Sequence, residues 1–276
     1  MANKTFPRLG FIGAGKMATA IIKGILRADL TTPNHIAASD VITLTKHPLV
    51  NAGVRLLDSN VELVKNSDII FLAVKPQVFN KVLQEIRELL TAEQLVVSIA
   101  AGLSLKQISH DLPPGTRLIR VMPNTPALVG AGATAFCRGP HATPVDVDWV
   151  EQIFETIGII HEVGESYLDA ITGLSASGPA YVAVMIEAMS DGGVRCGLSR
   201  EMATALAAQT VMGAAKMILE EKLHPAQLKD MVASPGGTTI AGLHALEREK
   251  FRCSVIDAVV TAAKRSAELG RGQNGC

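Results

Sequence analysis

The apolar positions change period once along the chain, and that change divides it. From Arg8 to about Val163, short apolar runs alternate with stretches of helical spacing: "RLGFI", "HIAAS", "DIIFLAV", "QLVVSIA", "TRLIRV", "GATAFC" and "GIIHEV". Runs of about five to seven residues that are apolar throughout predict strands covered on both faces, and hence parallel βαβ units. Among the intervening stretches, "QVFNKVLQEIRELL" places Val78, Val82, Leu83, Ile86 and Leu89 on one stripe and predicts an amphipathic helix. After Glu165 the strands stop. The alanine-rich segments "GPAYVAVMIEAMSDGGVRCG", "SREMATALAAQTVMGAAKMILEEK" and "SVIDAVVTAAKRSAELG" predict helices, with Ser199 capping the second and "LHP" at 223–225 stopping it. Ala203, Ala207, Gly213 and Ala214 are small enough for close helix packing, within a domain or between subunits. The pattern predicts an α/β domain over residues 1–164 and an all-α domain over 165–276, with "GRGQNGC" a frayed end.

Charge and cysteine content narrow the function. Twenty-six basic and 26 acidic residues cancel, which leaves no electrostatic footprint for a nucleic acid or an anionic membrane. No apolar run approaches the roughly 18 residues of a membrane span, and "MANKTFPRLG" has no signal core. Cys137, Cys196, Cys253 and Cys276 are scattered with no CxxC pair, so a reducing, cytoplasmic location is expected. The seven histidines show no HxH or HExxH spacing, and no metal site is expected.

Two glycine-rich stretches carry candidate chemistry. In "RLGFIGAGKMATAIIKGIL", an apolar strand meets Gly13, Ala14 and Gly15 and then a helix, with Ala18 in the third small position. The first glycine suits a tight turn, and the second lets a pyrophosphate reach the helix N-terminus. The second strand ends at Ser39 and Asp40; Asp40 either takes ribose hydroxyls, as in NAD sites, or caps the next segment, while Ser39, Thr43 and Lys46 suit the 2′-phosphate of NADP. "FLAVKPQVF" and "VSIAAGLS" end further strands at the same edge, and Pro76 suits the first position of a helix. The second stretch, "VASPGGTTIAGLHALE", has no acid or thiol in its loop. It offers backbone N–H groups and the hydroxyls of Ser234, Thr238 and Thr239 at a helix start, suited to an anion, or else it is an ordinary helix-start turn. "RVMPNTPA" either lines a pocket through Met122 and Asn124 or is a plain turn. His244 and Tyr181 read as packing residues before catalytic ones.

Taken together, "GFIGAGKMA", "FLAVKPQ", "VSIAAG", "RVMPNTPA", "DAITGLSASGPAY", "SPGGTTIAGLHALE" and "FR" followed by "DAVVTAAKRSAEL" resemble the pyrroline-5-carboxylate reductases, in order and nearly end to end. The resemblance implies a Rossmann-type dinucleotide-binding domain and a helical substrate-binding and dimerisation domain. The implied reaction is reduction of 1-pyrroline-5-carboxylate to L-proline by NAD(P)H, the last step of proline biosynthesis. NADP(H) is the implied cofactor, with NAD(H) the alternative. The implied cofactor residues are Ile12, Gly13, Ala14, Gly15, Lys16 and Met17 in the turn, Ser39 and Asn60 at the ribose end, and Ala73, Val74, Lys75, Pro76, Ile99, Ala100 and Ala101 at the later strand ends. The implied substrate loop is Ser234, Pro235, Gly236, Gly237, Thr238 and Thr239, and Asn124 of "RVMPNTPA" is a further substrate-binding candidate. Thr239 is the catalytic candidate, a hydrogen-bond donor to the imine or a relay for a proton from water. The resemblance further implies a homodimer, in which this loop faces the other subunit's cofactor, and in larger assemblies a ring of five dimers. Two positions depart from the family. Ala176 replaces a glycine, which is tolerable if its backbone is not left-handed, and no arginine follows Asp40. The rivals are a related two-domain dehydrogenase, whose catalytic lysine "GPAYVAVMIEAM" lacks, and a nucleotide sensor without catalysis.

Overall fold

Four strands at the centre of the sheet, Leu9–Ile12 (β1), Ile36–Ser39 (β2), Ile69–Leu72 (β4) and Leu95–Ser98 (β5), are buried at every position, as expected of strands covered on both faces. The computed structural model describes residues 6–40 and 48–272. Arg55–Leu57 (β3), Arg117–Met122 (β6), Gly132–Arg138 (β7) and Gly158–Glu162 (β8) complete an eight-stranded sheet of order β3-β2-β1-β4-β5-β6-β7-β8. The helices are Lys16–Arg27 (α1), Pro48–Asn51 (α2), Asn60–Lys65 (α3), Pro76–Ile86 (α4), Leu105–His110 (α5), Pro144–Glu155 (α6), Leu168–Ile171 (α7), Gly178–Arg195 (α8), Arg200–Glu220 (α9), Pro225–Val232 (α10), Thr238–Arg248 (α11) and Phe251–Gly272 (α12).

Alternation along the strands sorts side chains onto two faces. Phe11 and Phe71 point to the face that α1 and α6 cover, where their rings stack at 4.3 Å beside Ile21, Ile25, Ile153 and Phe154. Ile12, Ile70 and Leu72 point to the opposite face and meet Leu63, Leu83, Ile86 and Ile108 from α3, α4 and α5.

The structure corrects three expectations. The sheet is not wholly parallel, because β7 runs antiparallel to β6. Their connection, residues 123–131, is too short for a parallel crossover, which needs a dozen residues or more. The α4 stripe is turned by one residue, with Phe79 buried beside Leu83 and Ile86 while Val78 is exposed. The third correction concerns α9, which is long and apolar enough to cross a membrane by length and composition, with mean hydropathy 1.3 over its best window. Alanine supplies that hydropathy while adding little apolar area, which is why no long apolar run stands out.

The chain divides into two compact units, Met1–Ala176 with Ala262–Cys276, and Ser177–Thr261. In the second, α8 and α9 form a tight hairpin: a Cβ on Gly193 would lie 3.0 Å from that of Ala203. Ser199 caps α9 by accepting from the Met202 N–H at 3.3 Å, and α9 ends at Glu220, ahead of "LHP". Ala176 lies outside the left-handed region, so its methyl group is accommodated without strain.

Candidate cofactor and substrate sites

The glycine-rich turn is fastened to the strands on either side of it. The Gly13 N–H donates to the Ser39 carbonyl at 2.8 Å, and the Ala73 N–H donates to the Ile12 carbonyl at 2.8 Å. Gly13 has φ 97°, and a Cβ there would sit 2.6 Å from the Ala73 carbonyl oxygen, so only glycine fits. Ala14 and Ala18 are buried beneath the turn, and Met17 packs against the same core. Gly15, the residue before α1, faces open space: a Cβ built there meets nothing within 4 Å. α1 begins at Lys16 with no side-chain cap and no acid in its first turn. Free N–H groups, the positive end of the helix dipole and a residue without a side chain make a cradle that fits a pyrophosphate.

At the end of β2, Ser39 is 3% exposed and donates through Oγ to Asn60 Oδ1 at 2.6 Å. Asn60 Nδ2 in turn donates to Glu85 Oε2 at 2.8 Å. Sequence reading missed Glu85, since nothing near it in the chain marks it as part of a strand-end site. The Asp40 carboxylate accepts the Ala14 N–H at 2.8 Å and so reaches into the glycine turn. Thr43 and Lys46 lie outside the described residues. Ala73 and Val74 follow β4, Lys75 is exposed, and Pro76 is the first residue of α4, as expected. Ile99, Ala100 and Ala101 follow β5, where the Ile99 N–H donates to the Leu72 carbonyl at 3.2 Å. The structure thus gathers the predicted cofactor residues along one edge, at the carboxyl ends of β1, β2, β4 and β5, with Asn60 after β3 at the start of α3. There the strand order reverses between β1 and β4, and dinucleotides bind at such switch points.

In the helical unit, Ser234-Pro235-Gly236-Gly237 has the pattern of a type II turn. Pro235 leads, Gly236 takes φ 67°, and the Gly237 N–H donates back to the Ser234 carbonyl at 3.1 Å. A Cβ on Gly237 would lie 2.3 Å from Ser234 Oγ, so the hydroxyl fits against this residue because it is glycine. α11 then starts at Thr238 with no side-chain cap and no acid in its first turn. Its first N–H groups therefore stand beside the hydroxyls of Ser234, Thr238 and Thr239, with Thr239 half-buried.

Two candidates sit differently from a pocket wall. Asn124 is buried, with Nδ2 donating to the Ser175 carbonyl at 2.9 Å and Oδ1 accepting the Ala133 N–H at 2.8 Å. Met122 is buried with Ala135, Cys137 and Leu168. Tyr181 donates to the Ala258 carbonyl at 3.3 Å, a packing role, and His244 is exposed on α11.

A protein of Methanosarcina acetivorans named pyrroline-5-carboxylate reductase is 48% identical over 265 residues, which span 96% of this chain and 98% of that protein. The chain belongs to the pyrroline-5-carboxylate reductase family. Residues 165–269 match the family model described as pyrroline-5-carboxylate reductase dimerisation, and residues 8–102 match NADP oxidoreductase coenzyme F420-dependent. Among solved structures, the Plasmodium falciparum pyrroline carboxylate reductase with NADP bound is 35% identical with a TM-score of 0.88, over 97% of this chain and all of that one. The Coxiella burnetii pyrroline-5-carboxylate reductase is 34% identical with a TM-score of 0.89, over 96% and 98%. The family's dimerisation segment contains all of α8 to α11. Leu206, Met212 and Leu219 on α9 are each more than half exposed there, leaving apolar surface open to a second copy.

Proposed function

We propose that this reductase converts 1-pyrroline-5-carboxylate to L-proline with NAD(P)H, the closing step of proline biosynthesis. The observation that carries the reading is the end-to-end match to proteins of that name, which includes the helical half as well as the widely shared nucleotide fold. NADP(H) is the preferred cofactor, in keeping with the Plasmodium relative, and NAD(H) is the alternative. Bound NAD(P)H brings one hydride for the carbon of the C=N bond.

The remaining work falls to the chain. The turn from Ile12 to Met17 holds the pyrophosphate, Ser39 and Asn60 hold the adenosine ribose end, and the segments 73–76 and 99–101 support the rest of the cofactor. The substrate's fixed charge is its carboxylate. The open N–H groups of α11 and the hydroxyls of Ser234 and Thr238 bind it, while Gly236 and Gly237 give the turn its shape. A cyclic imine is basic enough to arrive protonated, so orientation matters more than a strong acid. Toward substrate that arrives as the neutral imine, Thr239 donates a hydrogen bond to the ring nitrogen and relays it a proton from water, because a threonine hydroxyl is too weak an acid to act alone; toward the iminium its oxygen accepts the ring N–H instead. Asn124 serves the substrate site by positioning, since its amide holds Ser175 and Ala133. The assembly is a homodimer at least, extended in the fullest form to a ring of five dimers, and each substrate loop serves its partner's cofactor. A cytoplasmic location belongs to the same reading.

Oxidation of NADPH and NADH by wild type and Thr239→Ala, with 1-pyrroline-5-carboxylate, tests this. Turnover should fall about 10²-fold or more in the variant with cofactor affinity kept. Tight nucleotide binding without turnover in wild type would replace the reductase with the sensor.

A further inference from the structure

The chain of hydrogen bonds from Ser39 through Asn60 to Glu85 has a direction, and an ionised carboxylate sets it. A carboxylate only accepts, so Glu85 Oε2 draws Asn60 Nδ2 toward itself at 2.8 Å. That leaves Asn60 Oδ1 facing Ser39, where it takes the hydroxyl proton at 2.6 Å. Ser39 Oγ is then left with lone pairs to offer. The Asp40 carboxylate, next in the chain after Ser39, accepts the Ala14 N–H and is likewise an acceptor. A ribose 2′-hydroxyl can donate to such a set. A 2′-phosphate, which accepts and carries about two negative charges, needs the reverse: Ser39 donating outward and Asn60 turned over to present Nδ2. Turning Asn60 over sets Oδ1 against the Glu85 carboxylate, acceptor against acceptor.

We propose that Glu85 sets coenzyme choice. As a positioning residue acting through Asn60 and Ser39, it biases the site toward the 2′-hydroxyl of NAD(H) and lowers the advantage of NADP(H). The inference rests on the dinucleotide site described above and extends it to a residue exposed on α4 that no strand-end motif contains. Both coenzymes are bound in this scheme, and Glu85 governs the ratio between them.

Calorimetric titration of the full-length protein with adenosine 2′,5′-bisphosphate and with adenosine 5′-monophosphate isolates the 2′ position. In Glu85→Ala, affinity for the bisphosphate should rise about five- to tenfold relative to the monophosphate. Glu85→Gln, which loses the charge but keeps an acceptor for Asn60, should fall between wild type and Glu85→Ala. The kcat/KM ratio for NADPH over NADH should move in the same order. Equal changes for both nucleotides, or an unchanged ratio in both variants, would overturn the role of Glu85 while leaving the dinucleotide site intact. Failure of wild type to bind either nucleotide would overturn the dinucleotide reading, and Glu85 with it.

Discussion

Gly13 and Gly15 lie in one turn under different constraints, and alanine separates them. At Gly13 the methyl group meets the Ala73 carbonyl at 2.6 Å in a left-handed backbone, so Gly13→Ala should cost at least about 1–3 kcal/mol of stability and disrupt cofactor binding. At Gly15 the protein leaves the space empty, so Gly15→Ala should keep stability within about 1 kcal/mol while weakening NADP(H) binding about tenfold or more. Thermal unfolding beside calorimetric binding distinguishes the two, and a large stability loss in Gly15→Ala would refute the open cradle. Cys137 is a third case: burial, aided by the charge of Glu165, pushes its thiol up to about 11. Iodoacetamide at pH 8 should leave Cys137 unmodified in the native protein and modify it after unfolding, as mass spectrometry would show.

β1 and β4 are tied at their starts as well as at the cofactor edge. Arg8 donates to Asp68 through Nη2 at 2.7 Å and through its backbone N–H at 2.8 Å. The side-chain hydrogen bond from Arg8, assisted by its backbone N–H and its charge, holds the Asp68 carboxyl below its ordinary 3.8 against a smaller desolvation effect. A depressed carboxyl stabilises the fold above its unfolded value and loses that contribution as pH falls through the lower folded value. Asp68→Asn should therefore lower the melting temperature at pH 7 and narrow its gap from wild type as pH falls below about 3.8, modestly because both side chains are half exposed. A gap constant from pH 7 to pH 3 would remove Asp68 from the acid response. The strands that these contacts align were legible because burial on both faces leaves continuous apolar runs. β3 was not, since three residues at a sheet edge, none buried, carry no such run. The reversal of β7 was hidden in the length of a connection, which apolar spacing does not register. At the site, the glycine turn and "SPGGTT" are local in sequence and could be read directly, whereas Glu85 acts through a side-chain relay that only folding assembles.

At the scale of the whole molecule, the helical unit is short of interior. Among residues 177–261 only Ser190, Ala203 and Ala207 are buried, while Val184, Leu206, Met212, Leu219 and Ile256 are more than half exposed. So little burial cannot offset the entropy of ordering these helices, and a second copy supplies what is missing. Leu206→Glu with Met212→Glu should give monomers by sedimentation velocity, with a lower melting temperature; a detergent-dependent wild type would instead assign α9 to a membrane. Whether the partner also completes the active site has its own test. At NADPH well below the wild-type Kd, Gly15→Ala leaves the cofactor end of a protomer at about a tenth of its activity or less and Thr239→Ala leaves its loop at about a hundredth, so each homodimer is largely inactive. If each loop serves the partner's cofactor, a mixed dimer pairs the two defects in one site and leaves the other wild type. Random re-association should then restore about a quarter of wild-type activity, since half the dimers are mixed and each has one of two sites intact. If loop and cofactor come from the same protomer, every site in every dimer carries one defect, and mixing restores nothing.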